Sequence, residues 1–142
     1  MANRWVCPQC DREFDRPNVA HVCVPGCTVE ETFARRPEQL PTYHAVLDCV
    51  RELGPVHEDA VRVGVFLKAD RKLAELRPKS RWLSLGLALT RRIDHPRIAR
   101  VLRASSQSHW HVIKLHAVAD VDDEVRAWLA EAYHTATHGH GG

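Results

Sequence analysis

The feature that most constrains the fold is a strict apolar alternation in the middle of the chain. Leucine recurs at every second position, at Leu83, Leu85, Leu87 and Leu89. Smaller or amphipathic residues lie between and beside them, at Trp82, Ser84, Gly86, Ala88 and Thr90. Alternate residues of a strand share one face, so the leucines predict a buried sheet face. A second alternation, at Val61, Val63, Val65 and Leu67, predicts another strand with Arg62, Gly64, Phe66 and Lys68 on its opposite face.

Helical patterns lie on both sides of this region. Thr28 and Glu31 form a capping-box pattern, which predicts a short helix from Val29 to about Arg35. Apolar residues at helical spacing predict a second helix that ends at Leu53, before Gly54-Pro55, and a last helix over 120–133. Further extended segments are expected at 73–77, 101–105 and 110–116.

This order predicts an α+β fold. We expect a mostly antiparallel sheet of about four to five strands with N- and C-terminal helices, over residues 28–134, preceded by a small zinc-knuckle module. Residues 135–142 are expected to be a flexible His-rich tail.

The N-terminal cysteines indicate a metal site. Cys7, Cys10, His21 and Cys23 follow the pattern Cys-x2-Cys-x10-His-x-Cys. Together they supply the four donors of a closed, structural zinc site, so residues 1–27 are predicted to be a zinc-knuckle module with Zn2+ as a structural cofactor. Cys27 could replace Cys23 as the fourth ligand. A redox role for the Cys-x-x-Cys pair is the other interpretation, but no strand is predicted before Cys7.

The composition argues against several classes of protein. With 44% hydrophobic and 27% charged residues, the chain of 142 residues is typical of a globular protein. No apolar run approaches the roughly 20 residues of a membrane helix, and residues 1–5 lack a signal core. We therefore expect a cytoplasmic protein without a membrane partner.

The net charge of +2 conceals an asymmetry. Residues 62–103 contain twelve basic and three acidic side chains. Such a field can attract phosphate, nucleic acid or an acidic partner, and the candidate anion-binding residues are Arg62, Lys68, Arg71, Lys79, Arg81, Arg91 and Arg92. The alternative is a set of ordinary arginines on the solvent side of a sheet, whose stems cover apolar surface.

A candidate pocket lies on the same predicted sheet face as Trp82. Small residues could form its floor, and its rim or stacking residues would be Phe66, Trp82 and Trp110. Period two also places His109 and His111 on one face, where they could chelate a metal or handle a proton. Alternatively, the small residues allow close helix packing and the two histidines are polar packing residues.

Several motifs resemble an uncharacterised bacterial family, domain of unknown function 5655. They are the N-terminal knuckle and the segments at 51–56, 76–78, 91–97, 109–111 and 126–133. The resemblance covers about residues 28–134 and implies no established activity. Some members are similar in carrying a zinc knuckle, and the sheet domain is similar to the end domain of larger proteins that begin with a nuclease-like domain, which implies a nucleic-acid context by association. The Lys-Thr-Arg expected at the first strand reads Ala60-Val61-Arg62 here.

Three hypotheses follow. The first is a zinc-containing binding module that contacts nucleic acid or another anion through a basic sheet face. The second is a small enzyme or small-molecule binder that uses the Trp82/Arg62 face with His109 and His111, although no complete catalytic motif is present. The third is a protein-interaction module.

Overall fold

The computed structural model describes residues 5–6, 13–14, 27–105 and 108–138. Two short strands, β1 (Trp5–Val6) and β2 (Glu13–Phe14), form an antiparallel pair in which Trp5 lies opposite Phe14. The predicted zinc ligands Cys7, Cys10, His21 and Cys23 lie outside the described residues.

Helix α1 begins and helix α2 ends at the residues that the sequence predicts, although α1 ends at Thr32 rather than near Arg35. Helix α1 (Val29–Thr32) has the predicted capping box, since the Thr28 hydroxyl accepts from the Glu31 N–H at 3.1 Å and the Glu31 carboxylate accepts from the Thr28 N–H at 2.9 Å. A 3-10 turn (Pro37–Gln39) leads into α2 (Leu40–Leu53), which ends at Gly54. A second 3-10 turn (Val118–Asp120) precedes α3 (Asp123–His138).

The last helix is longer than predicted. Residues 135–138 continue α3, and Ala136 is buried in the core, so the expected flexible tail does not begin at residue 135. Ala136 lies four residues after the buried Ala132, so it carries the apolar stripe one further turn along the helix.

The main sheet has six antiparallel strands, one more than the upper prediction. They are β3 (His57–Val61), β4 (Gly64–Lys68), β5 (Lys72–Pro78), β6 (Leu83–Leu89), β7 (Ile98–Ser105) and β8 (Ser108–Leu115), in the order β3-β4-β5-β6-β8-β7. The predicted strand from Val61 to Leu67 is wrong. It is a hairpin with a turn at Arg62-Val63, and Val63 at its tip is 61% exposed.

The register divides the sheet into two faces. Leu85 lies opposite Leu76 and Ile113, and all three are fully buried beneath the helices; we call this the inner face. Helix α3 packs on β5 and β6, α2 packs on α3, and α1 contacts β3 and β4. On the outer face Phe66, Glu75, Gly86 and Val112 form one row across four strands. No described helix packs against this outer row.

Candidate functional site

A basic cleft lies at one end of the main sheet, where the β3–β4 turn meets the end of β5. Its volume is about 720 Å³, and its lining includes five basic side chains: Arg35, Arg36, Arg62, Arg77 and Lys79. Glu31 is the one acidic side chain in that lining, and its carboxylate accepts the capping hydrogen bond from Thr28. A volume of this size lies in the range of ligand-binding clefts.

Backbone carbonyls fix the wall of the basic cleft. The carbonyl of Lys79 accepts from Arg36 Nε at 3.2 Å and from Gln39 Nε2 at 2.7 Å, while the Lys79 N–H donates to the Trp82 carbonyl at 2.9 Å. The β5–β6 turn is therefore tied to the segment that carries Arg35 and Arg36. This contact spans about forty residues of sequence, so charge counting along the chain does not reveal it.

The charges of the cleft remain largely unpaired. Within the described residues, Arg35, Arg36, Arg62 and Lys79 form no ion pair with a carboxylate; Arg77 alone contacts one, that of Glu75. Because like charges held together in a concave surface raise the local concentration of anions, this end of the sheet has a field that attracts anions.

The predicted anion-binding residues do not form one surface. Arg62, Lys79 and Arg81 lie at the cleft end of the sheet, whereas Lys68, Arg71, Arg91 and Arg92 lie at the opposite strand ends. Two of these distant residues are also neutralised. Lys68 Nζ lies 2.9 Å from Asp59, and Arg91 makes two 2.9 Å hydrogen bonds to Glu131, which raise the pKa of its guanidinium.

The small-residue floor predicted beside Trp82 is occupied at Gly86. A Cβ atom at Gly86 would lie only 2.4 Å from the indole of Trp110, so Trp110 packs directly on this glycine. Phe66 and Trp110 each have the ammonium group of Lys72 over the ring, at 4.8 and 4.9 Å from the two centroids. Trp82 similarly has Lys114 at 4.4 Å.

His109 and His111 share a face, as predicted, but it is the inner face. They lie opposite Leu89 and Leu87, whereas Trp110 lies opposite Ala88 on the outer face. A pocket that combines these histidines with the Trp82 face is therefore incompatible with the register.

The His111 imidazole is fully buried and both of its nitrogens have partners. Nε2 accepts from the Ile93 N–H at 2.9 Å, so the proton is on Nδ1, which lies 3.1 Å from the His109 carbonyl. Burial lowers the pKa of His111, which favours this neutral form. Its lone pair is thus used within the core rather than offered to a ligand.

Cys27 and the described histidines form no metal centre. The Cys27 thiol lies 3.3 Å from the Thr32 hydroxyl and its N–H donates to the Ala60 carbonyl at 3.0 Å, so the residue is attached to the main domain. Among the residues that the structure describes, no group of three His, Cys, Asp or Glu side chains is placed to bind a metal ion. Among the helices of the described residues, none has the length and apolar character needed to cross a bilayer.

Sequence reasoning missed Arg35, Arg36 and Arg77 as members of the site. The adjacent pair Arg35-Arg36 before Pro37 was the available signal, but it lies outside the basic stretch 62–103. A family model with the description domain of unknown function (DUF5655) matches residues 29–136. No curated protein and no solved structure matches the chain.

Proposed function

Since this chain belongs to the DUF5655 family, whose description names no activity, we propose its function from its own geometry: it is a nucleic-acid-binding module that holds phosphates in the basic cleft. The observation that carries this proposal is the convergence of five basic side chains from separate elements on one cleft. Four of them have no carboxylate partner among the described residues.

The physical case rests on counterion release. A protein that places Lys or Arg on phosphates displaces condensed cations, so its affinity falls steeply with salt, with a log–log slope of about −0.7 to −0.9 per phosphate contacted. Arginine adds paired N–H donors that match phosphate oxygens. Arg35 and Arg62 carry such donors, and Lys79 adds a point charge. Arg36 contributes its charge, since its Nε and Nη1 already donate to the carbonyls of Lys79 and Arg35.

The test compares charge reversals at the two ends of the sheet. Arg62→Glu/Lys79→Glu changes the cleft, and Arg71→Glu/Arg92→Glu makes the same change in net charge at the opposite end. Fluorescence anisotropy with labelled mixed-sequence oligonucleotides, at 50 and 200 mM salt, measures affinity and slope. We expect the cleft variant to lose at least tenfold in affinity and to flatten the slope by about 1.5. The control should stay within about threefold of wild type.

Two results would contradict the proposal. One is the absence of oligonucleotide binding by the wild-type protein at 50 mM salt. The other is an equal loss in both double variants, which would mean that net charge rather than the cleft drives association.

A small phosphate-bearing molecule is the second candidate, and the cleft volume of about 720 Å³ favours it. If it is the true ligand, millimolar pyrophosphate should bind wild type but not Arg62→Glu/Lys79→Glu, as measured by calorimetry, and the oligonucleotides should not bind.

We also propose that Cys7, Cys10, His21 and Cys23 hold a structural zinc ion. Cys27 is attached to β3 and α1 by its backbone and side chain, which supports Cys23 as the fourth ligand. The β1–β2 pair brings together the chain ends on either side of residues 7–12, as a knuckle requires. Elemental analysis should find one zinc per chain, lost in Cys7→Ser and kept in Cys27→Ser. Zinc retained in Cys7→Ser would refute this ligand set.

A further inference from the structure

The basic side chains of the cleft come from three separate segments of the chain. Arg35 and Arg36 follow α1, Arg62 lies in the β3–β4 turn, and Arg77 and Lys79 lie at the end of β5 and just after it. Arg36 is half-buried, and the other four side chains are exposed. A single anion held in the cleft would therefore be approached by cations from three directions.

Two of these side chains are held in place by contacts with the protein. Arg36 donates from Nε to the Lys79 carbonyl at 3.2 Å and from Nη1 to the Arg35 carbonyl at 3.0 Å. The stem of Arg77 lies on Gly64, where an added Cβ atom would be 3.0 Å from Arg77 Cγ. The cleft thus combines cations of fixed position with exposed ones that can adjust to a ligand.

The size of the cleft suits one end of a chain rather than a long stretch of it. Its volume of about 720 Å³ lies among those of small-molecule sites, roughly 300–1,000 Å³. Proteins that bind along a strand instead use grooves that span about 4–16 nucleotides. Ala34, Val63 and Pro78 add an apolar part to the lining, and Val63 is 61% exposed. This part is available to the sugar or base next to a bound phosphate.

A terminal phosphate fits cations on three sides better than an internal phosphate does. A phosphate inside a strand has two ester bonds and one negative charge, so the strand leaves it in two directions. A terminal phosphate has one ester bond, three free oxygens and a charge of about −1.5 to −2 at pH 7. Hydrogen bonds from arginine to such oxygens are among the strong ones, because both partners are charged.

We propose that the basic cleft recognises the terminal phosphate of a nucleic-acid strand, with Arg35 and Arg62 on its free oxygens and Lys79 adding charge. The proposal rests on the proposed nucleic-acid function and deepens it, since it names the group of the ligand that enters the cleft. A 5′ and a 3′ terminal phosphate share this chemistry, and the experiment distinguishes them.

The experiment uses one internally labelled DNA strand in four forms: with a 5′ phosphate, with a 3′ phosphate, with hydroxyls at both ends, and closed into a circle. Fluorescence anisotropy with the full chain at low salt measures each affinity. We expect one phosphorylated form to bind at least tenfold more tightly than the hydroxyl form, because a hydrogen bond to a charged group contributes roughly 10- to 150-fold. The circle, which has no end, should bind no more tightly than the hydroxyl form.

Single substitutions test whether the cleft is responsible for this preference. Arg62→Gln and Arg35→Gln each remove one exposed guanidinium from the cleft, and Arg71→Gln, in the β4–β5 turn at the opposite strand ends, is the matched control. We expect each cleft variant to reduce the preference for the phosphorylated form to about threefold or less, and the control to keep it. Because the two cleft variants lie in separate segments, a folding defect in one leaves the other as a test.

Equal affinities for the phosphorylated and hydroxyl strands would overturn the end-recognition proposal and leave salt-dependent binding in the cleft intact. A preference that persists in both Arg62→Gln and Arg35→Gln would also overturn it, because the terminal phosphate would then bind outside the cleft. Binding to none of the four forms would instead overturn the proposed nucleic-acid function itself.

Discussion

Because Gly86 and Trp110 are in close contact, we expect Gly86→Ala to destabilise the wild-type protein but to stabilise a variant that lacks the Trp110 indole. In Gly86→Ala the new methyl carbon would lie 2.4 Å from the nearest indole carbon. Nonbonded carbons pack at about 3.5–4.0 Å, so the indole would have to withdraw by about 1 Å or more. Overpacking of this kind costs about 1–3 kcal/mol, while replacing glycine inside a strand returns about 0.5–1 kcal/mol.

The net expectation is a loss of about 0.5–2 kcal/mol in the free energy of unfolding for Gly86→Ala. In the Trp110→Ala background the obstacle is gone, and the same substitution should stabilise by about 0.5–1 kcal/mol. The coupling between the two positions should therefore be at least about 1 kcal/mol.

Urea unfolding of the four proteins of this cycle, followed by circular dichroism, measures both effects. At a denaturant slope of about 1–3 kcal/mol/M, the single Gly86→Ala variant should lower the midpoint by roughly 0.5 M. A Gly86→Ala protein as stable as wild type, or the same change in both backgrounds, would refute the close packing of Trp110 on the sheet.

Two further predictions concern buried polar contacts. Because burial lowers the pKa of His111, the unfolded chain binds more protons below about pH 6.5 than the folded chain does. The free energy of unfolding of wild type should therefore fall as the pH is lowered from about 6.5, and that of His111→Gln should fall less. Urea midpoints of the two proteins that run parallel between pH 7.5 and 5 would contradict this prediction. Thr32→Val removes the 2.6 Å hydrogen bond from the Thr32 hydroxyl to the Val61 carbonyl and should cost about 1–3 kcal/mol. Exposed Thr90→Val is its control and should change stability by less than about 0.5 kcal/mol; equal thermal shifts of the two variants would show that the buried bond contributes nothing.

The sequence predicted the α+β class and the leucines of the inner face well, because leucine at every second position indicates a strand with one buried face. It missed β3 because His57, Glu58 and Asp59 are polar, although tertiary partners satisfy them: Tyr43 donates to Glu58 at 2.5 Å, and Lys68 pairs with Asp59. The Arg62-Val63 turn also lacks the glycine or asparagine that usually reveals a two-residue hairpin.

The candidate site was only partly predictable. Arg62 and Lys79 were identified by charge alone, but their convergence with Arg35 and Arg36 depends on the contact of the β5–β6 turn with the α1–α2 segment. Arg91 was selected on the same ground and proved to be paired with Glu131, forty residues away. One-dimensional charge density cannot distinguish a neutralised arginine from an available one.

The strand order has a consequence for how the sheet assembles. Strands β3 to β6 follow one another along the chain, but β8 lies between β6 and β7. The chain that leaves β6 must therefore pass beyond β8 before it forms β7. On the way Arg91 contacts Glu131 of α3, and Arg97 contacts Asp122, just before α3, at 2.8 Å. Within the main sheet β7 is bonded to β8 alone, and β8 connects the β7–β8 hairpin to β6. As an edge strand, with β3 at the other edge, β7 can open without breaking the remaining five strands, so we expect its amide hydrogens to exchange before those of the four inner strands.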